Sequence, residues 1–265
     1  MITSPTNSRL KEARKLQNRR HRQQMGRLLL EGVRLINDAF QSGMLPDLVF
    51  FVPETIQANQ LALRLLDQLQ TAGVECLACA AALFATLSET VTPQGLAAVV
   101  SLPQLPVPSD PNFTLLLDQV RDPGNAGTLL RSAEAAGVDL VLFGAETVDP
   151  FNDKVVRAGM GAHFRLPLRV CADWPAVQSW LAPHQRLYLA QADATIAYDQ
   201  VDWRLPAVLV VGGEAEGASP QVRMMAQPIA IPMQGKVESL NAGIAGAIIL
   251  FEAARQRRQA IGALH

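Results

Sequence analysis

The 265-residue chain is 49% hydrophobic and 18% charged, a composition typical of a globular protein and unlike that of a disordered chain. This length accommodates one large domain or two ordinary ones. The longest apolar run, residues 242–251, is shorter than the roughly 20 residues that cross a bilayer, and the N-terminal segment lacks a signal-peptide core. Because three cysteines do not make a disulfide framework, we expect a cytoplasmic protein with no membrane contact.

Charge is unevenly distributed along the chain, although the net charge is only −1. Residues 9–34 contain nine basic and two acidic residues, and the remaining 14 basic and 22 acidic residues give −8. The pattern at residues 7–24 predicts a basic helix, which is either a solvated arm or a surface that binds nucleic-acid phosphates. Abundant arginine favours phosphate, because a guanidinium forms forked contacts to it. The candidate phosphate-binding residues are Arg9, Lys11, Arg14, Lys15, Arg19, Arg20, Arg22 and Arg34.

Short apolar strands alternate with helical segments from there to residue 100, which predicts an α/β domain. The predicted strands are 28–31, 48–52, 74–77 and 96–100, and the predicted helices are 33–40, 56–70 and 80–87. Four prolines then fall between residues 103 and 111, a density that excludes a helix or a central strand and is typical of an extended linker. We therefore predict an N-terminal domain over residues 1–101, a linker over 102–111 and a second domain over 112–265.

Cys76 and Cys79 have the C-x-x-C spacing found in zinc and redox sites. A structural zinc site needs four ligands, and the chain has no second pair, since Cys171 is isolated and the four histidines are scattered. The neighbours of the pair are apolar. We therefore expect buried structural cysteines and no metal site.

The second domain opens with a strand, a loop, a helix and another strand. Phe113–Leu117 is an apolar strand that leads into the loop Asp118–Gly127, and Thr128–Ala136 is the predicted helix. This order favours a parallel sheet whose loop lies at the carboxyl end of a strand, where α/β sheets bind ligands. Asn125 is a candidate helix cap, and Arg131 is either a solvated side chain or a functional one.

Two later segments also combine glycine with polar residues. Residues 208–211 form an apolar strand that runs into Gly212–Gly217, where glycines let the backbone approach a cofactor and present Glu214; no dinucleotide fingerprint or P-loop is present. In residues 231–255, a long helix contains Gly243 and Gly246 in its first turns. Each interior glycine costs about 1 kcal/mol relative to alanine. We infer a close approach by a ligand, a chain segment or a second subunit, the alternative being a tightly packed core helix.

Together, these motifs resemble those of the SpoU (TrmH) family of RNA ribose methyltransferases, in the SPOUT superfamily. The motifs are D-x-V-x-D-P-x-N-x-G-x-x-x-R at 118–131, G-x-E-x-x-G at 212–217 and I-P-M-x-G-x-V-x-S-L-N at 231–241, in the family's order. N-S-R-L-K at 7–11 and L-E-G-V-R at 30–34 resemble the family's small substrate-binding domain, which is similar to an RNA-binding ribosomal protein fold. The resemblance covers nearly the whole chain.

The resemblance implies a fold, a cofactor and a reaction. The fold is an α/β catalytic domain with a mostly parallel sheet and a C-terminal trefoil knot, paired with a second copy as a homodimer. The cofactor is S-adenosyl-L-methionine, and the reaction is methyl transfer to a ribose 2′-hydroxyl. The two-domain layout and basic arm favour large-subunit ribosomal RNA. The alternatives are a tRNA substrate, a non-catalytic RNA-binding protein, or an enzyme with another nucleotide cofactor, which the missing phosphate-binding fingerprints disfavour.

Carried over residue by residue, the resemblance also implies a set of site residues. The implied cofactor-binding residues are Gly212, Gly217, Ile231, Met233, Leu240 and Ala245. The implied catalytic residues are Arg131, which activates the hydroxyl, and Asn125, Glu214, Ser239 and Asn241, which orient the reacting groups. A guanidinium with a pKa above about 12 is a poor base, so Arg131 acts either in that role or by stabilising the developing alkoxide. The family commonly continues Asn-Val-Ser after S-L-N, whereas this chain has Ala242-Gly243; both are small, so we expect the cofactor site to survive.

Overall fold

The structure is a computed structural model that describes residues 1–88, 90 and 92–262. The chain divides into two compact units. One is formed by Met1–Pro103 with Phe151–Asp153, and the other by Gln104–Pro150 with the residues from Lys154 onward. The domain limits predicted at residues 101 and 112 stay predictions.

The N-terminal unit is a mixed four-stranded sheet with helices, as the α/β prediction requires. Its strands are β1 (Arg27–Glu31), β2 (Leu48–Phe51), β3 (Glu75–Ala78) and β4 (Leu96–Ser101). Its helices are α1 (Ser8–Lys15), α2 (Arg19–Met25), α3 (Val33–Gln41), α4 (Pro53–Ile56), α5 (Gln60–Thr71) and α6 (Ala81–Phe84). The strand order is β1-β4-β2-β3, with β4 antiparallel to both neighbours and β2 parallel to β3. Leu10, Phe50 and Phe84 are buried in one core cluster of this unit.

The basic segment forms two helices instead of the single helix predicted over residues 7–24. The first ends at Lys15 with Leu16 as its C-cap, and Asn18 begins the second, since its side chain accepts a hydrogen bond from the backbone N–H of His21 at 3.2 Å. Arg22 is buried, and its Nη1 donates to the carbonyl oxygens of Leu16 and Gln17 at 2.9 and 2.8 Å. This arginine therefore satisfies the carbonyls that the break exposes, and it does not face solvent as a phosphate-binding residue would.

The second unit is built on a six-stranded sheet in which all strands are parallel, which confirms the predicted sheet. The strands are β5 (Phe113–Asp118), β6 (Leu140–Phe143), β7 (Leu168–Val170), β8 (Arg186–Ala190), β9 (Ala207–Gly212) and β10 (Gln227–Ile229), in the order β10-β8-β9-β5-β6-β7. The helices are α7 (Pro123–Ala136), α8 (Asp153–Gly159), α9 (Trp174–Gln178), α10 (Pro220–Met225) and α11 (Ala242–Gly262). The trefoil knot that the resemblance implies stays a prediction.

The pairing of β5 with β9 brings the first two motifs together. The register aligns Phe113 with Ala207 at one end and Asp118 with Gly212 at the other, so both motif loops leave the same edge of the sheet. Asp118 is largely buried there, and its Oδ2 accepts a hydrogen bond from the backbone N–H of Ser219 at 2.6 Å. The loops after β5 and β9 are thus fixed next to each other.

Helix α7 begins five residues earlier than predicted. Asp122 is the cap, because its Oδ1 accepts a hydrogen bond from the backbone N–H of Asn125 at 2.8 Å, and Pro123 occupies the first turn. The prediction that Asn125 caps this helix is therefore wrong. Asn125 lies inside the helix, and its side chain is available for another partner.

The glycines of α11 allow close packing against α7. A Cβ added at Gly246 would lie 2.3 Å from Leu129 Cδ2, and one at Gly243 would lie 3.2 Å from Asn125 Oδ1. Of the three explanations offered for these glycines, the approach of another chain segment is the one observed within the described chain. This contact places the N-terminal end of α11 beside the N-terminal end of α7.

Candidate active site

A cavity of 530 Å³ lies at the carboxyl edge of the parallel sheet. Its wall includes the last residues of three strands, Ala190 of β8, Gly212 of β9 and Ile229 of β10, together with the first turn of α11. Open parallel sheets bind ligands at this edge, because the loops there are supported by buried strands. The position of the cavity thus agrees with the placement inferred from the first motif loop.

All six residues that the resemblance implies for the cofactor line this cavity. They are Gly212, Gly217, Ile231, Met233, Leu240 and Ala245. Three of the five implied catalytic residues, Glu214, Ser239 and Asn241, line it too. The second and third motifs therefore meet in space, although residues 218–230 separate them in sequence. The role of each residue stays a prediction.

The chemistry of the cavity fits S-adenosyl-L-methionine. Small-molecule sites have volumes of roughly 300–1,000 Å³ and are mostly apolar, with a few placed polar groups. Here Val211, Ile229 and Ile249 contribute apolar wall, and the polar side chains are few: Gln191, Glu214, Ser239 and Asn241. An amphipathic cofactor with an apolar ring face, hydroxyls and charged ends matches such a lining.

Glu214 is held in place by groups from the first motif. Its Oε1 accepts a hydrogen bond from Asn125 Nδ2 at 2.7 Å, and its Oε2 accepts one from the backbone N–H of Arg121 at 3.4 Å. Asn125 is buried and does not itself line the cavity, but it contacts the cavity-lining residue Glu214. The structure thus joins two implied catalytic residues that lie 89 positions apart in the sequence.

Asn241 caps α11 at the cavity. Its Oδ1 accepts a hydrogen bond from the backbone N–H of Ile244 at 3.2 Å, and its carbonyl oxygen accepts one from Ala245 at 2.9 Å. A side-chain oxygen in this position satisfies one of the free backbone N–H groups at the start of the helix. Ser239, two residues earlier, is exposed and lines the cavity.

Arg131 is exposed on α7 and does not line the cavity. Within residues 1–88, 90 and 92–262, it has no hydrogen-bond or ion-pair partner. An exposed arginine without an internal partner is available to an external anion such as a phosphate. Its implied role in activating the hydroxyl stays a prediction.

Sequence reasoning missed the contribution of β8 to the cavity. Ala190, Gln191 and Ala192 line it, where the backbone N–H of Gln191 donates to the carbonyl oxygen of Ile229 at 2.9 Å. A signal was present, because the apolar stretch at 187–190 ends in a polar residue, as a strand entering a binding loop does. Only the position of β8 between β9 and β10 reveals that this polar residue reaches the same cavity.

The predicted phosphate-binding residues of the N-terminal unit fall into three groups. Four are exposed and have no partner within the part of the chain that the structure describes: Lys11, Arg19, Arg20 and Arg34. Three have partners, since Arg9 pairs with Glu75, Lys15 pairs with Glu12, and Arg14 donates to Thr86 Oγ1. Arg22 is buried, as noted above. The first group is the one best suited to contact phosphates.

The cysteine thiols are weakly reactive. Cys79 and Cys171 are buried, and burial raises the pKa of Cys171, as it does that of the half-buried Cys76, to about 11. Thiols with such a pKa stay protonated at neutral pH and are poor nucleophiles. Outside residues 89, 91 and 263–265, no group of three or more His, Cys, Asp or Glu residues is placed to hold a metal ion, and no helix is apolar over a membrane-spanning length.

Known proteins match this chain over most of its length. Residues 112–251 match the model of the SpoU rRNA Methylase family, and residues 7–98 match that of the MRM3-like substrate binding domain. The 23S rRNA (guanosine(2553)-2'-O)-methyltransferase RlmP of Bacillus subtilis is 31% identical over 94% of this chain and 97% of its own. Among solved structures, the SpoU methyltransferase AviRb from Streptomyces viridochromogenes in complex with AdoMet has a TM-score of 0.82 at 29% identity, covering 96% of this chain and all of its own. The AdoMet-bound rRNA methyltransferase from Sinorhizobium meliloti has a TM-score of 0.79 at 30% identity, covering 96% and 97% of the two chains. The chain belongs to the SpoU rRNA methylase family.

Proposed function

We propose that this protein transfers a methyl group from S-adenosyl-L-methionine to a ribose 2′-hydroxyl in RNA, and that its substrate is large-subunit ribosomal RNA. The observation that carries the proposal is the single cavity lined by all six implied cofactor residues together with Glu214, Ser239 and Asn241. Its support comes from relatives named as methyltransferases of 23S rRNA and from a similar structure that contains AdoMet.

Each group of residues then has a part in the reaction. The cofactor, when bound, supplies a methyl group on a positively charged sulfur. A ribose hydroxyl is a weak nucleophile, so the protein must align it and assist the loss of its proton. Glu214, Ser239 and Asn241 present polar atoms to the cavity, and Asn125 fixes the Glu214 carboxylate. Arg131 binds a substrate phosphate and stabilises the developing alkoxide, a role that suits a permanently charged group.

The test uses S-adenosylmethionine with a labelled methyl group, offered separately to unmodified 23S rRNA, to 16S rRNA and to bulk tRNA. We expect label in 23S rRNA, recovered after alkaline hydrolysis as a dinucleotide, because a methylated 2′-oxygen cannot attack the adjacent phosphate. Label in tRNA alone would overturn the substrate assignment. Absence of label from all naked RNAs and from assembled ribosomal subunits, with RNA binding intact, would favour a non-catalytic RNA-binding protein.

We also propose a homodimer formed through the second unit. The support is an apolar stripe on α11, in which Ile244 and Phe251 are 51% and 48% exposed and Ile248 lies between them. Such a stripe is costly in water and is buried by a second copy. Light scattering should give twice the mass of 28.6 kDa, and Phe251→Asp should shift the protein toward the monomer.

We further propose that the protein works in the cytoplasm, the compartment that suits an rRNA-modifying enzyme with three free thiols.

A further inference from the structure

The turn that carries Glu214 is tightly closed. The backbone N–H of Gly213 donates to the carbonyl oxygen of Gly217 at 2.9 Å, and the N–H of Gly217 donates back at 3.0 Å. Gly217 has a φ of +72°, and a Cβ added at Gly213 would lie 2.4 Å from the carbonyl oxygen of Gln119. Glycine is therefore required at both ends of the turn, which packs against the loop that follows β5.

Arg121 connects this turn to two other loops. Its Nη2 pairs with Glu146 Oε2 at 2.5 Å and lies 4.0 Å from Glu216 Oε2, while its backbone N–H donates to Glu214. Glu146 belongs to the loop after β6, and Glu216 belongs to the turn after β9. Arg121 itself belongs to the loop after β5, so one arginine joins the loops that follow three neighbouring strands of the sheet.

Arg223 holds the turn from another direction. Its Nη2 donates to the carbonyl oxygen of Glu216, and it would lie 3.1 Å from a Cβ at Gly217. Arg223 belongs to α10, which begins three residues after the turn ends. The two arginines therefore contact Glu216 through different groups, its carboxylate and its carbonyl.

We propose that Arg121 and Arg223 are positioning residues that hold the Gly213–Gly217 turn closed and thereby keep Glu214 at the cofactor cavity. The inference rests on the proposed function for its consequence, since Glu214 and Gly217 line the cavity. The side chains of Arg121 and Glu146 are 55% and 61% exposed, so this ion pair alone stabilises the closed turn only slightly. Two arginines that act on one short turn restrict it more than either does alone.

The experiment compares the whole protein with Arg121→Ala, Arg121→Lys, Arg223→Ala and the double alanine variant. We expect Arg121→Ala to raise the KM for S-adenosylmethionine about fivefold, the upper effect of an exposed ion pair. The lysine variant should recover part of this loss, and the double variant should exceed either single one. Arg204→Ala is the matched control, because Arg204 forms an exposed bidentate pair with Asp202 away from the cavity.

Amide hydrogen exchange separates this inference from the proposed function, because it requires no activity. The N–H groups of Gly213 and Gly217 should exchange faster in Arg121→Ala and Arg223→Ala than in the wild type, and Arg204→Ala should leave them unchanged. Exchange rates and KM that match the wild type in the double variant would overturn the inference while leaving the methyltransferase assignment intact. If the wild type transfers no methyl group, the exchange rates alone test whether the two arginines hold the turn closed.

Discussion

Asn125 and Glu214 form the contact through which the first motif reaches the cavity. The Asn125 amide donates to an acidic partner at 2.7 Å, and a hydrogen bond to a charged group contributes about 1.5–3 kcal/mol. The carboxylate is exposed toward the cavity, whereas the amide is buried. Loss of the amide would therefore leave the carboxylate with only the longer hydrogen bond of 3.4 Å from the backbone N–H of Arg121.

A double-mutant cycle on this pair should show strong coupling. We expect Asn125→Ala and Glu214→Ala each to reduce kcat/KM, and the double variant to lose little more than the worse single one, with a coupling energy of about 1–3 kcal/mol. Methyl-transfer kinetics on the four proteins measure it. Additive losses would mean that the two side chains act independently.

His163 predicts a pH dependence of stability. It is fully buried with Nε2 at 2.8 Å from the carbonyl oxygen of Pro150, and burial lowers its pKa from 6.5 to about 4. Between these values the unfolded chain binds the proton and the folded one does not. The contribution of His163 to the free energy of unfolding is therefore complete above pH 6.5. It decreases as the pH falls toward 4, by about 1.4 kcal/mol per pH unit.

Urea unfolding at pH 7.5, 5.5 and 4.5 measures this effect, with His163→Gln as the comparison. The wild type should lose stability more steeply than the variant over this range, because glutamine does not titrate. Parallel pH profiles for the two proteins would show that the pKa of His163 is the same in the folded and unfolded chains, contrary to the lowering expected from its burial.

At the scale of elements, α7 shows what could and could not be predicted. The sequence indicates where the helix begins, because Asp122-Pro123 is a typical helix start. The glycines at 124 and 127, however, are typical of a loop. Gly127 is needed for packing, since an added Cβ would lie 2.4 Å from Ala158 Cβ and 2.8 Å from the carbonyl oxygen of Val155. Tertiary packing therefore overrides the low helix propensity of glycine here.

Gly127→Ala should destabilise the protein, although alanine is the better helix former. We expect a loss of about 1–3 kcal/mol from overpacking, because backbone atoms must move to make room. Gly235→Ala is the control, since nothing lies within 4 Å of its added Cβ. Chemical denaturation of the two variants gives the comparison. A neutral Gly127→Ala would mean that α7 and α8 separate easily.

At the scale of the whole molecule, the sequence predicted the strands of the first motif and the parallel sheet but not the strand order. Hydrophobic patterns locate each strand, whereas the position of β8 between β9 and β10 depends on how the complete chain packs. For this reason Gln191 was not recognised as a cavity residue. The six residues implied for the cofactor could be named only because their motifs resemble those of a known family.

The uneven charge of the molecule predicts how RNA binding depends on salt. Arg19 and Arg20 are exposed near the start of α2 and lie within the basic region 9–34. If each contacts a phosphate, Arg19→Ala/Arg20→Ala should reduce the slope of log K against log salt by about 0.7–0.9 per arginine. RNA-binding isotherms at several salt concentrations measure this slope.

Arg64→Ala is the matched control for that experiment. Arg64 is an exposed arginine of α5 in the same unit, outside the basic region. Its removal should leave the slope close to that of the wild type. Equal slopes for all three proteins would place the RNA on a different surface.

We expect Arg131 to be required for methyl transfer although it does not line the cavity at the carboxyl edge of the sheet. The most direct measurement compares wild type, Arg131→Ala and Arg131→Lys for both transfer rate and the Kd of S-adenosylmethionine. We predict that Arg131→Ala lowers the rate by about 100-fold or more, the usual effect of removing a group that stabilises developing charge, and leaves the Kd nearly unchanged. Wild-type turnover by Arg131→Ala would contradict the claim.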